Sequence, residues 1–312
     1  MTAPGSTAGP EVRSSGPAVA RPVVGRDREG QILEAALRSG AHVVLEGPPG
    51  TGKSTLLRDV AARRASPFVL VEGNAELTPA RLVGHFDPAL VLARGYTPDV
   101  FVDGPLLEAL RSGGLLYVEE LNRVPEETLN VLLTVMSEGE IAVPRLGHVK
   151  ASDGFRLVAA MNPYDAVGTA RISGALYDRT CRITMGYQDL ESECEIVAQQ
   201  RPGTPDAWRR AAVGMVRATR DHRDLRMGSS VRGALDFVGL TRELAALRGV
   251  PDDDWQSGLD AALVALSGRV RLDEGCNRPV EDVVTELYVA AFGPRPAGPD
   301  DDPSGGGDPG KR

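Results

Sequence analysis

The chain has 312 residues, 42% hydrophobic and 25% charged, with 43 acidic against 35 basic side chains and a formal net charge of −8. That balance argues against a nucleic-acid binder, which ordinarily carries a basic excess on its binding domain. Three cysteines without a CxxC pair argue against a disulfide framework or a zinc site, and no signal-peptide h-region or membrane-length apolar run is found, so a cytoplasmic setting is the expectation.

Residues 1–20, rich in Pro, Gly, Ser and Ala, and residues 294–312, rich in Pro, Gly and Asp, carry too little apolar surface to offset chain entropy. They are predicted to be disordered tails. Between them DREGQILEAALRSG reads as a helix ending at Gly40, AHVVLEG as a buried strand, KSTLLRDVAARRA as a helix and PFVLVEG as a second strand. LLEALRSGG is a helix stopped by glycines, and LLYVEE the strand after it. PEETLNVLLTVMSEG is a helix opened by Pro125 and closed by Gly139, with Leu129, Leu132, Leu133 and Met136 on one face. GFRLVAAMNP and CRITMGY complete the strands. The alternation predicts a parallel α/β sheet covered by helices, over residues 21–187. Strands then stop. ESECEIVAQQR, DAWRRAAVGMVRATRDH, SVRGALDFVGLTRELAALRG, WQSGLDAALVALSGRV and VEDVVTELYVAAFG all read as helices, giving an all-helical domain over residues 188–293.

GPPGTGKS, residues 47–54, fits G-x-x-x-x-G-K-[ST] and lies between a strand and a helix. In that context backbone N–H groups cradle phosphates at a helix N-terminus. Gly47, Pro48, Pro49, Gly50, Thr51, Gly52, Lys53, Ser54 and Thr55 are therefore the expected nucleotide-binding residues. Lys53 would reach the β and γ phosphates and Ser54 would ligate Mg²⁺.

LLYVEE ends on two carboxylates, Glu119 and Glu120, a costly finish for a buried strand unless they serve a purpose. Neighbouring strand residues point to opposite faces. One carboxylate can then face a metal ion while the other, where strand gives way to loop, turns toward an attacking water. A solvated strand end is the alternative.

GPPGTGKS, VEELNR, AAMNP, GALYDR and GSSVRGAL follow one another in an order that resembles the AAA+ ATPases. Within them the chain resembles the MoxR family, in the branch that contains magnesium-chelatase-like, CbbQ/NorQ-like and gas-vesicle protein N-like ATPases. The likeness covers residues 22 to 292 or so, and VVGRD and FVDGPLLEAL add to it. It implies a P-loop NTPase core of the AAA+ type, a parallel sheet covered by helices, with a C-terminal all-helical lid, ATP and Mg²⁺ as cofactors, and ATP hydrolysis.

By this resemblance Glu119 stands at the metal-side acid, usually Asp, and Glu120 at the catalytic glutamate that polarises water. Asn162 matches the sensor 1 residue. Arg179 matches the arginine finger that acts on the neighbouring subunit's nucleotide, with Arg171 in TARISG as a rival. Arg232 matches the sensor 2 arginine, and Val24 and Gly25 lie where the adenine pocket begins. The chemistry agrees with these roles, since phosphoryl transfer needs charge placed around the γ phosphate and an oriented water rather than covalent help. The simpler readings are a surface ion pair of Arg179 with Asp178, an exposed helix charge for Arg232, and a turn position before Pro163 for Asn162. Glu119 is one methylene longer than Asp, a departure that bears on hydrolysis rate more than on nucleotide binding.

Residues 84–106 resemble the helix 2 insert of this branch, and residues 139–154 read as a hairpin like the presensor 1 hairpin, with Arg145, His148 and Lys150 giving it a basic edge. A solvated rim is the other reading of that hairpin. Tyr96 and Phe101 could be core or contact residues. The finger in trans implies a homo-oligomer, and the family a hexameric ring whose work is chaperone-like remodelling, maturation or cofactor insertion of a client protein, often with a von Willebrand factor A domain partner. A DNA-dependent helicase-like motor and a non-hydrolysing, nucleotide-gated regulatory module are the rivals.

Overall fold

The computed structural model describes residues 23–163 and 174–296; the predicted N-terminal tail, most of the C-terminal one and Arg171 lie outside the described residues. Helix α1 (Asp27–Arg38) leads into β1 (His42–Glu46), α2 (Lys53–Arg63) and β2 (Phe68–Glu72). An insertion follows, made of α3 (Pro79–Val83), β3 (Gly84–Phe86), α4 (Pro88–Arg94) and β4 (Phe101–Asp103). The chain continues through α5 (Pro105–Ser112), β5 (Leu115–Glu119), α6 (Glu126–Glu138), β6 (Glu140–Val143), β7 (Gly147–Lys150), β8 (Arg156–Met161), α7 (Gly174–Asp178) and β9 (Thr180–Thr184).

Among the described residues the main sheet has the order β2-β5-β8-β1-β9, every pair parallel. Its central strands are apolar runs because a parallel sheet is covered on both faces. Alternation divides them between two cores. Val44, Leu116, Val118 and Ala159 join the cluster under α5 and α6, whereas Val43, Leu45, Tyr117 and Val158 join Leu33, Leu56, Leu57 and Val60 of α1 and α2. After β1 the chain crosses to the far edge of the sheet, and after β8 it passes over β1 to reach β9. The carboxyl end of β1 therefore lies where the connections diverge, the usual ligand crevice of an open α/β sheet.

Helix α6 follows Pro125 and ends at Gly139, whose φ of 65° forms a left-handed C-cap. Its buried stripe is Thr128, Leu129, Leu132 and Val135, with Leu133 and Met136 half-buried beside it, so the face is rotated from the predicted one.

The C-terminal region comprises α8 (Leu190–Gln200), α9 (Asp206–Ala218), β10 (Leu225–Met227), α10 (Val231–Arg248), α11 (Trp255–Leu266), β11 (Arg271–Leu272) and α12 (Val280–Phe292). Strands were expected to stop at the main sheet, but β10 and β11 pair antiparallel here. They span 3 and 2 residues, too short for an alternating pattern to show. The helical core is aromatic where the sheet core is aliphatic: Trp208, Phe237, Tyr288 and Phe292 meet with ring centroids 4.8–6.2 Å apart. Among the described residues no helix is long and apolar enough to cross a membrane.

The two insertions touch. Phe86 packs edge-on against Tyr96 and Phe101, at 5.1 and 4.9 Å. Strands β6 and β7 form an antiparallel hairpin, and Arg145 at its tip lies 3.6 Å over the Tyr96 ring, a cation–π contact. His148 Nδ1 sits 3.0 Å from Glu140 Oε1 across the hairpin.

Candidate nucleotide site

The loop from Gly47 to Ser54 begins at the carboxyl end of β1 and ends in the first turn of α2. Its glycines are required by geometry. A β-carbon on Gly47 would run into the Met185 carbonyl, and Gly50 and Gly52 hold φ of 75° and 85°, which side chains resist. Lys53 Nζ donates to the carbonyls of Gly47 and Pro48, both at 2.8 Å, so the loop wraps around its ammonium. Burial lowers the Lys53 pKa to about 8; Glu120 and Glu119 oppose the shift, and Arg232 adds to it. Thr51 Oγ1 donates to Pro48 O at 3.0 Å and closes the loop.

Strand β5 supplies the facing wall. Glu119 is its last residue, and Glu120 follows in a left-handed conformation at φ 50°. The two carboxylates diverge because the chain turns between them, not through strand alternation. Glu119 Oε1 accepts from Ser54 Oγ and, at 3.0 Å, from the Tyr117 hydroxyl. Glu120 Oε2 is buried without a hydrogen bond and lies 3.3 Å from Arg123 Nε. Asn162 is half-buried and directly follows Met161, the last residue of β8.

The helical region closes the cleft from above. Ser230 caps α10, and a β-carbon on Gly50 would collide with its side chain. Arg232, in the first turn of α10, lines one cleft with Pro49 to Thr55, Tyr117, Glu119, Glu120, Ala160 and Met161. Arg179 is not in this group: its Nε donates to Ser137 Oγ at 2.5 Å and its Nη1 to Ala175 O at 3.0 Å, with Asp178 Oδ2 3.9 Å away. Val24 O accepts from Gln188 Nε2, which ties the segment before α1 to the strand-to-helix junction.

Three contributors went unread in the sequence. Arg26, 5% exposed, donates to Thr51 O at 2.9 Å and Gly186 O at 2.6 Å, clamping the phosphate loop to the residues after β9. Glu46, 4% exposed, accepts from Tyr177 and pairs with Arg182. Tyr117 was hidden in an apolar run, although its place two residues before Glu119 on a strand already put both on one face.

The glycine cradle, the N-terminus of α2 and the Lys53 ammonium suit a polyphosphate. The adjacent oxygens of Ser54 and Glu119 suit a hard cation such as Mg²⁺. Among the described residues no group of three or more His, Cys, Asp or Glu is placed to hold a metal ion by itself.

Fold and site together define a P-loop ATPase of the AAA+ class. The family described as "AAA domain (dynein-related subfamily)" matches residues 42–180. The chain is 31% identical over 275 residues to the gas vesicle ATPase GvpN1 of Halobacterium salinarum, covering 83% of this chain and 78% of that protein. It is 31% identical over 237 residues to the gas vesicle ATPase GvpN of Ancylobacter aquaticus, covering 69% of this chain and 63% of that one. The Thermotoga maritima RuvB Holliday junction branch migration motor shares the fold, with a TM-score of 0.50 and 16% identity over 87% of this chain and 72% of that one. NtrX from Brucella abortus in complex with ATP does so too, at TM-score 0.50 and 22% identity over 77% and 55%. The chain belongs to the MoxR-like family of AAA+ ATPases, together with the gas vesicle ATPases.

Proposed function

We propose that the protein hydrolyses Mg·ATP at the interfaces of a homo-oligomeric ring, hexameric by family resemblance, to drive remodelling, maturation or cofactor insertion of a client protein. The observation that carries this reading is the division of the charged groups. Lys53, Ser54, Glu119, Glu120 and Arg232 line or enter one cleft, while Arg179 is held outside it on Ser137 and Ala175. An arginine kept away from its own nucleotide is what a finger in trans requires.

In this reading the bound magnesium supplies charge to the phosphates, with Ser54 and Glu119 as its protein ligands. Lys53 holds the β and γ phosphates. Glu120 accepts a proton from the attacking water, and Asn162 helps to orient that water. Arg232 brings the helical region to the γ phosphate, and the partner's finger completes the positive set. The acidic balance of −8 favours a protein client over a nucleic acid. The likeness to gas vesicle ATPases makes gas vesicle components the first clients to test, alongside von Willebrand factor A domain proteins.

Subunit mixing tests the reading. Arg179→Ala and Lys53→Ala proteins should each be inactive alone. Mixed, they should regain turnover, because interfaces then form in which an intact site meets an intact finger. No recovery in mixtures that form oligomers would rule out the trans role.

A further inference from the structure

We propose that Tyr117 is a positioning residue for the magnesium shell, its hydroxyl fixing the carboxylate of Glu119. The inference rests on the reading of Ser54 and Glu119 as the metal-side pair.

Strand β5 is otherwise apolar up to its end, and Tyr117 is 0% exposed within it. A buried phenol is costly unless its hydroxyl is bonded. The partners here are the two oxygens assigned to the metal. Tyr117 Oη lies 3.0 Å from Glu119 Oε1 and 3.1 Å from Ser54 Oγ, and Ser54 itself donates to Glu119. The three groups form a closed triangle at the floor of the cleft. The ring is buried in the core between the sheet and helices α1 and α2 and packs against Phe68 with centroids 5.9 Å apart, so the hydroxyl is delivered by a stiff arm.

This arrangement accounts for the glutamate. Glu has one more rotatable bond than Asp and loses more freedom when fixed. A donated hydrogen bond to a charged acceptor offsets that cost. An aspartate here would draw its carboxylate back by one methylene, away from the tyrosine hydroxyl. Tyr117 and Glu119 thus act as a matched pair in place of a single short acid.

The test is binding of a fluorescent ATP analogue to the full chain, in EDTA and across a Mg²⁺ titration. Tyr117→Phe should keep its metal-free affinity while its half-saturating Mg²⁺ concentration rises about tenfold to a hundredfold, the equivalent of one hydrogen bond to a charged group. Glu119→Asp should raise it likewise, and the double variant should be no worse than either single one. A wild-type Mg²⁺ response in Tyr117→Phe, an equal loss in EDTA, or strictly additive effects would overturn the proposal. Should Tyr117→Phe not fold, Glu119→Asp decides, since an unchanged or lower Mg²⁺ requirement contradicts a site tuned to Glu. Glu119→Gln separates the layers: if it leaves the Mg²⁺ response intact, the metal-side assignment itself fails.

Discussion

Tyr177 Oη donates a 2.6 Å hydrogen bond to Glu46 Oε1 and so joins the helix that ends beside Arg179 to the strand that launches the phosphate loop. Arg182 Nε faces the other carboxylate oxygen at 3.0 Å. Glu46 is buried at the sheet end, and a buried carboxylate that loses one of two partners is left undercompensated. Tyr177→Phe should therefore cost about 1–2 kcal/mol in urea unfolding. Because the same bond steadies α7, turnover should fall more than nucleotide affinity does. Equal losses of both would separate Glu46 from the placement of Arg179.

Nucleotide binding should take up a proton near pH 8. Burial has lowered Lys53 to about 8, and phosphate oxygens beside it restore the charged form. At pH 8.5 most of a proton should be absorbed per nucleotide, falling toward zero at about pH 6.5. Calorimetry in buffers of different ionisation enthalpy measures this directly. Arg232→Ala removes a nearby like charge and should move the uptake to higher pH.

Stability should fall on the acid side through His42. Its Nδ1 accepts the Leu157 N–H at 2.9 Å, and desolvation, with Arg156 nearby, holds its pKa at about 4. The folded value lies below the unfolded one, so between the two the unfolded chain binds the proton and the folded chain does not. This contribution is unaffected above pH 7 and worsens as pH drops toward 4, reaching about 2 kcal/mol by pH 5. Urea midpoints at pH 7 and 5 should differ less in His42→Asn than in the wild type.

Glu120→Gln should retain ATP binding and lower turnover by at least about 100-fold, the scale of a lost general base. Its Oε2 lacks a hydrogen bond in the fold, and the contact the amide weakens there is the half-exposed ion pair with Arg123, which is worth little. If the protein acts as proposed, the ATP-bound form of this variant should hold a client, which affinity capture would detect. Turnover within a few-fold of wild type would remove Glu120 from the mechanism.

The local parts of this protein were legible residue by residue. The phosphate loop is contiguous, and its glycine, lysine and serine positions depend only on the turn from β1 into α2. Helix ends at Gly113 and Gly139 followed from left-handed caps, and the strand and helix periods exposed the α/β core and the helical region behind it. The grouping of Lys53, Ser54, Glu119, Glu120 and Arg232 required the ordered motifs to be recognised together.

What lay beyond the sequence is what depends on distant pairing. Glu46 and Tyr177 are 131 residues apart, and Arg26 reaches Gly186 across 160. Strands β10 and β11 have no pattern of their own and exist through each other. Tyr117 looked like core until Ser54 and Glu119 were brought to its hydroxyl. Sequence by itself determined the longer elements and the phosphate loop, because backbone preference and apolar period act over a few residues. Tertiary structure alone decided which buried polar groups meet, because the order β2-β5-β8-β1-β9 sets β1 beside strands that come more than 100 residues later.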